Sequence, residues 1–129
     1  MKSELPRSYS FAVLTMSDKG SQGEREDTSG AYLKQKLTEE GYLLQSYSII
    51  ADQKQLIIEN LIELVDNKKI SLIVTTGGTG VSPSDITPEA MSEVLEREIP
   101  GMAVAMRGAS LKKTSRAMLA RGKGGLRKE

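Results

Sequence analysis

The sequence contains neither cysteine nor histidine, and these two absences exclude several classes of protein. Without cysteine there is no disulfide framework, no thiolate nucleophile and no thiolate metal site, and without histidine there is no imidazole base or ligand. Catalytic triads that use histidine, zinc hydrolases and haem proteins are therefore excluded. Any bound metal must be held by carboxylate, carbonyl or hydroxyl oxygens, which favours Mg²⁺ or Ca²⁺.

Long hydrophobic runs are also missing. No apolar run approaches the roughly 18 residues of a membrane-spanning helix, and residues 1–8 lack the apolar stretch of a secretory signal. We therefore expect a cytoplasmic protein with no membrane partner. The 129 residues are 38% hydrophobic and 27% charged, which predicts one globular domain over residues 1–129.

Aromatic residues are scarce, and none lies in residues 101–129, where basic residues gather. This segment carries eight Lys and Arg but one acidic residue, whereas residues 1–100 carry ten basic and sixteen acidic residues. A basic tail suggests nucleic acid, but bases would find no aromatic ring here on which to stack. We therefore expect no nucleic-acid partner; the alternatives are a solvated terminus or cations that face a phosphorylated small molecule.

Hydrophobic patterning predicts strands that alternate with helices. Strands are expected over 9–15, 42–50 and 70–76, and helices over 29–40, after residue 52, over 87–97 and over 102–121 with an interruption near Gly108. The expected helix caps are Asp27 or Thr28, then Asp52, then Thr87. Residues 122–129 are expected to form a flexible tail. This order predicts a three-layer α/β domain with a mostly parallel central sheet and helices on both faces.

Ligands of such sheets bind beyond the carboxyl ends of the strands, and two predicted loops lie there, 17–27 and 77–87. In the second loop, glycines at 77, 78 and 80 let backbone amides approach an anion, and Asp85 follows at a distance suited to a metal ion beside it. The loop is not a Walker A motif, because Val81 follows Gly80, and Pro83 breaks the dinucleotide fingerprint. Taken alone, the glycines could also form a tight turn between strand and helix.

The longer string resembles a known signature. Residues 75–80, followed in register by Pro83, Asp85, Thr87, Pro88 and Glu89, are similar to the molybdenum cofactor biosynthesis family, the MogA and MoaB type of molybdopterin adenylyltransferase that includes the gephyrin and plant G domains. The other matching positions are Ser17-Asp18, Asp27 with Ser29-Gly30, Ile50-Ala51-Asp52, residues 97–101, Ser110-Leu111 and residues 117–119 with Arg121. The resemblance extends from about residue 9 to residue 127.

The resemblance implies transfer of AMP from ATP to the terminal phosphate of molybdopterin, with release of pyrophosphate, in a Mg²⁺-dependent step. It also implies an assembly of three subunits, or of six in some members. The family's two critical aspartates fall on Asp52 and Asp85, as catalytic residues and metal ligands. The implied substrate-binding residues are Ser17, Asp18, Gly77, Gly78, Thr79, Gly80, Ser110 and Arg121.

Two positions depart from the family pattern. Ala120 stands where family members carry serine, and the chain stops at Glu129 where they continue, so that a carboxyl-terminal strand and helix are expected to be absent. A non-catalytic pterin- or nucleotide-binding protein is therefore the alternative interpretation, and a nucleotide pyrophosphatase is a third. From the residues alone, Asp52 could be a plain helix cap and Asp85 a turn residue that bonds its own backbone.

Overall fold

The computed structural model describes residues 9–17, 23, 27–78, 81, 83, 85–111 and 121–127, with the backbone alone at residue 110. The elements in chain order are β1 (Ser10–Met16), α1 (Thr28–Glu39), β2 (Leu43–Ile50), α2 (Lys54–Ile62) with a π-helical turn (Glu63–Asn67), β3 (Leu72–Thr76), α3 (Thr87–Val94), β4 (Arg97–Glu98), α4 (Pro100–Leu111) and β5 (Gly125–Leu126). Within these described ranges, no helix has the length and apolar character needed to cross a lipid bilayer.

Among the described residues, the central sheet has three parallel strands in the order β2-β1-β3. Because β2 and β3 pair with opposite edges of β1, the strand order reverses at β1, and in parallel sheets ligands bind at such a reversal. The register brings the carboxyl ends together, with Met16 opposite Ile50 and Thr15 opposite Thr76. The segments that follow the three strands therefore leave the sheet side by side.

Helices cover both faces of the sheet. Successive side chains of a strand point to opposite faces, and on one face Leu14 and Met16 pack against α2 and α3. This cluster also contains Ile57, Ile58, Leu61, Ala90 and Val94. On the opposite face α1 lies against β1 and β2. The predicted α/β fold, with a parallel sheet and helices on both faces, is confirmed.

One predicted helix cap is correct and two are wrong. Asp27 caps α1, since its carboxylate accepts a hydrogen bond of 2.9 Å from the Gly30 amide. The N-cap of α2 is Gln53 rather than Asp52, because the Asp52 side chain turns toward the loop after β3. The hydroxyl of Thr87 donates instead to a backbone carbonyl of that same loop, so Thr87 becomes the first residue of α3.

The carboxyl-terminal part differs most from expectation. The helix predicted to reach residue 97 ends at residue 94, and β4 then pairs antiparallel with β5. Helix α4 runs through Gly108 without interruption, and residues 112–120 of the predicted helix lie outside the described residues. Within the segment predicted to be a flexible tail, Arg127 binds both carboxylate oxygens of Asp66 at 3.1 and 2.8 Å and the Val94 carbonyl at 2.9 Å.

Candidate functional site

A cleft of about 380 Å³ opens at the carboxyl ends of the three strands. It lies where the strand order reverses, which is the position predicted from the fold class. Of the residues that the structure describes, those lining it belong to the end of β1, the start of α1, the end of β2 with the residues after it, and the loop between β3 and α3. The lining residues are Thr15, Met16, Ser17, Asp27, Thr28, Ser29, Ile49, Asp52, Thr76, Gly77, Gly78 and Asp85.

The loop after β3 depends on two glycines with positive φ, +98° at Gly77 and +69° at Gly78. A Cβ on Gly77 would overlap the backbone carbonyl of Met16, because the loop lies directly against the end of β1. A Cβ on Gly78 would overlap the Thr87 hydroxyl and come within 3.3 Å of Oδ1 of Asp52. The backbone can adopt this conformation only without side chains at both positions.

Thr87 holds this loop to the start of α3. Its side chain is buried, its hydroxyl donates to the Gly77 carbonyl at 2.9 Å, and its amide donates to the Gly78 carbonyl at 3.0 Å. Pro88 follows within the first helical turn, where the lack of an amide hydrogen costs nothing. The carbonyl groups of Gly77 and Gly78 therefore both accept hydrogen bonds from Thr87 at the start of α3.

Two aspartates, Asp52 and Asp85, line the same cleft. Both residues are partly buried, and Oδ1 of Asp52 is inaccessible to solvent. Within the described part of the chain, no cluster of three or more acidic residues forms a complete metal cage. Two carboxylates suit Mg²⁺ nevertheless, because proteins bind this ion through one or two carboxylates together with substrate phosphates and water.

Arg121 lies in a shallow second pocket of about 400 Å³ that shares Asp85 with the cleft. Its guanidinium pairs with the Glu89 carboxylate on α3 and donates to the backbone carbonyl of Asp85, both at 2.5 Å. The hydrogen bond from Arg121 is the main cause that holds the pKa of Glu89 below its usual range. Arg121 thus joins the loop that carries Asp85 to the first turn of α3.

The carboxylate of Asp27 also lines the cleft, although the sequence predicted for Asp27 only a helix cap and a match to the family pattern. One carboxylate oxygen accepts from the hydroxyls of Thr15, at 2.7 Å, and Tyr47, at 2.5 Å, while the other accepts from the Gly30 amide. Desolvation raises the pKa of Asp27, but the three hydrogen bonds and Lys34 outweigh it and the pKa is lowered. Burial and the Asp27 carboxylate together raise the pKa of Tyr47 to about 12.

The structure thus brings five of the predicted site residues into one cleft: Ser17, Asp52, Gly77, Gly78 and Asp85. Arg121 lines the adjoining pocket instead. Asp18, Thr79, Gly80 and the side chain of Ser110 lie outside the described residues. No local pattern pairs Tyr47 with Asp27, twenty residues earlier, so only the sheet register could have revealed that contact.

Comparison with known proteins gives the same family as the motifs. The family model described as "Probable molybdopterin binding domain" matches residues 12–128. A molybdopterin adenylyltransferase of Helicobacter pylori (strain J99) is 42% identical over 121 residues, which cover 91% of this chain and 68% of the relative.

Two crystal structures extend the comparison to the fold. The molybdopterin biosynthesis enzyme MoaB from Thermus thermophilus is 40% identical with a TM-score of 0.85, over 92% of this chain and 75% of that one. The tungsten cofactor synthesizing protein MoaB from Pyrococcus furiosus is 31% identical with a TM-score of 0.86, over 97% of this chain and 77% of that one. The chain therefore belongs to the molybdopterin-binding domain family of molybdenum cofactor biosynthesis proteins.

Proposed function

We propose that this protein transfers AMP from ATP to the terminal phosphate of molybdopterin and releases pyrophosphate, with Mg²⁺ bound in the cleft. The observation that carries the proposal is the placement of Asp52 and Asp85 beside the Gly77-Gly78 turn, within one cleft at the reversal of strand order. The name molybdopterin adenylyltransferase, borne by relatives from Helicobacter pylori and Pyrococcus furiosus, supports the same reaction.

The chemistry suits a chain without histidine or cysteine. The attacking group is a phosphate oxygen that is already an anion, so the reaction needs no strong base. Catalysis then consists of positioning the two substrates and neutralising charge. In this proposal the open backbone of the Gly77-Gly78 turn lies against the substrate phosphates, since no side chain keeps them away.

The two aspartates fit a Mg²⁺ ion that arrives with ATP. Asp52 and Asp85 would hold it through carboxylate oxygens, and the hydroxyls of Thr15 and Ser17 lie in the same cleft. When bound, the ion neutralises charge that develops on the departing pyrophosphate. Arg121 would help to hold this part of the loop in place through its bond to the Asp85 backbone carbonyl.

The test is AMP transfer in the presence and absence of molybdopterin, measured as pyrophosphate release and as adenylylated product. We expect product only with molybdopterin, ATP and Mg²⁺ together. Asp85→Asn and Asp52→Asn should each lower turnover by about 10²-fold or more, the scale of a lost electrostatic contact in a transition state. Glu59→Gln, on the exposed face of α2, is the matched control and should leave turnover unchanged.

Each alternative outcome has a distinct meaning. Unchanged turnover in Asp85→Asn would remove that residue from the mechanism. Binding of both substrates without transfer by the unmodified chain would favour a non-catalytic binding protein. Release of AMP without molybdopterin would favour a pyrophosphatase that uses water as acceptor.

We also propose that the protein works as a homotrimer. Helix α4 supports this, because it exposes apolar side chains that a solvated helix rarely carries together, and exposed apolar patches mark contact surfaces. The exposed residues are Met102, Val104, Met106 and Leu111. Light scattering at micromolar concentration should give three times the mass of the chain, and a monomer would contradict the proposal.

A further inference from the structure

Asp27 makes more hydrogen bonds than a helix cap needs. Capping of α1 requires one acceptor, and Oδ1 provides it to the Gly30 amide. Oδ2 accepts from two hydroxyls on two different strands, Thr15 of β1 and Tyr47 of β2. Asp27 therefore joins three elements of the fold at one wall of the cleft.

The surroundings of this carboxylate are closely fitted. A Cβ on Gly30 would overlap Oδ2 of Asp27 and come within 2.9 Å of the Tyr47 ring, so glycine is required there. The ammonium group of Lys34 lies 3.8 Å from the centre of the Tyr47 ring. This cation-π contact and the hydrogen bond to Asp27 together fix the orientation of the ring.

The same contacts determine which hydrogen-bonding groups this side of the cleft presents to a ligand. The Thr15 hydroxyl, almost completely buried, donates its only hydrogen to Asp27. Because Thr15 lines the cleft and its hydrogen is already donated, its oxygen can act toward a ligand only as a hydrogen-bond acceptor. Thr28 and Ser29, which follow Asp27 at the start of α1, also line the cleft. Their placement depends on the same carboxylate.

We infer that Tyr47 is a positioning residue for ligand binding in the cleft, acting through Asp27 on the Thr15 hydroxyl and the start of α1. The inference rests on the proposed function for the identity of the ligands, ATP and molybdopterin. Tyr47 does not line the cleft, so its effect on a ligand must pass through Asp27.

The experiment compares two tyrosine substitutions that each remove one hydroxyl group. Tyr47→Phe removes the donor to Asp27 and keeps the ring under Lys34, whereas Tyr42→Phe removes a hydroxyl from a ring that packs edge-on against Phe11. Affinity for MgATP and for molybdopterin is measured by calorimetry well below the melting temperature, together with kcat and KM for AMP transfer.

We expect Tyr47→Phe to weaken binding of at least one of the two ligands about tenfold, with KM raised and kcat nearly unchanged, because the positioned groups hold the ligand equally before and during the reaction. Tyr42→Phe should match the unmodified protein. Thr15→Val should reproduce the loss and Thr15→Ser should restore affinity. Thr15→Val combined with Tyr47→Phe should cost less than the two single losses together, since both act through Asp27.

A lower melting temperature of Tyr47→Phe with unchanged affinity for both ligands would overturn the inference and leave Tyr47 a purely structural residue. Additive losses in the double variant would also overturn it. If the unmodified protein binds neither ATP nor molybdopterin, the proposed function fails first, and this inference fails with it.

Discussion

Gly78 is a position at which one added methyl group should affect both stability and activity, because it lies between Thr87 and Asp52. In Gly78→Ala the new residue must adopt a φ of +69°, which costs about 1–2 kcal/mol for an L-residue. The methyl group also overlaps the Thr87 hydroxyl, so that Thr87 must move and lose its bond to the Gly77 carbonyl, at a cost of about 1 kcal/mol. The sum predicts a loss of about 2–3 kcal/mol in the free energy of unfolding.

The assay is urea unfolding, supported by thermal melts in which this loss should lower Tm by roughly 10 °C for a domain of this size. Gly41→Ala is the matched control, because Gly41 also has a positive φ, +102°, but no atom lies within 4 Å of the added methyl group. Gly41→Ala should therefore show the backbone cost alone. AMP transfer should fall only in Gly78→Ala, whose methyl group presses on Oδ1 of Asp52 at 3.3 Å.

Equal losses of stability in the two alanine variants would refute the reasoning, because the contact with Thr87 would then contribute nothing. A double variant adds a second check. Thr87→Ala removes the overlapping hydroxyl, so its combination with Gly78→Ala should cost less than the two separate losses together. Strict additivity would show that the two residues are not in contact.

Two further predictions concern charged groups. Because the native pKa of Asp27 is lowered, its contribution to stability is present above its ordinary value of 3.8 and is lost as pH falls below it. Urea unfolding should therefore show that Asp27→Asn is less stable at pH 7, with a difference that narrows below about pH 4; a constant difference would contradict this. Arg127→Met should lower the free energy of unfolding by about 2 kcal/mol, because it leaves the partly buried Asp66 carboxylate without its cation. Lys54→Met breaks an exposed pair with Glu93 and should lower it by less than about 1 kcal/mol. Equal costs would contradict the difference in burial.

The sheet could be predicted because its signals are local. Residues 11–16 are buried throughout β1 and read in the sequence as one nearly continuous apolar run. Such a run is typical of a strand in the middle of a parallel sheet. The turn residues around it place the predicted ends of the elements within two or three positions of the observed ends. The parallel order follows from the alternation with helices.

The helix caps show where local rules stop. Asp52 and Thr87 both have residue types that favour capping, yet neither is an N-cap: Thr87 donates to the Gly77 carbonyl, and Oδ1 of Asp52 lies beside Gly78. A cap contributes about 1 kcal/mol, and a buried contact at a site can exceed that. Capping preference therefore failed at one residue that lines the cleft, Asp52, and at one that holds the cleft loop, Thr87, where tertiary contacts compete with local ones.

The ion pairs show a second limit, which is distance along the chain. Arg127 and Asp66 are 61 residues apart, and Arg121 and Glu89 are 32 apart. Composition indicated only that basic residues gather after residue 101. Composition could not indicate that Arg127 pairs with Asp66 of the π-helical turn, or Arg121 with Glu89 of α3. No periodicity in the sequence links such distant positions.

Glycine was the most informative residue type for the site, and the structure explains why. A Cβ on Gly30 would meet Asp27 and Tyr47, one on Gly77 would meet the Met16 backbone, and one on Gly78 would meet Thr87 and Asp52. By contrast, the glycines at 41, 101 and 108 face open space. Close packing is not confined to the cleft, since a Cβ on Gly125 would overlap the Arg97 carbonyl, but at Gly77 and Gly78 the close neighbours belong to the strand ends and loop that form the cleft. An aspartate tolerates many surroundings, whereas a glycine under a buried carboxylate or hydroxyl tolerates no substitution without displacement of that group.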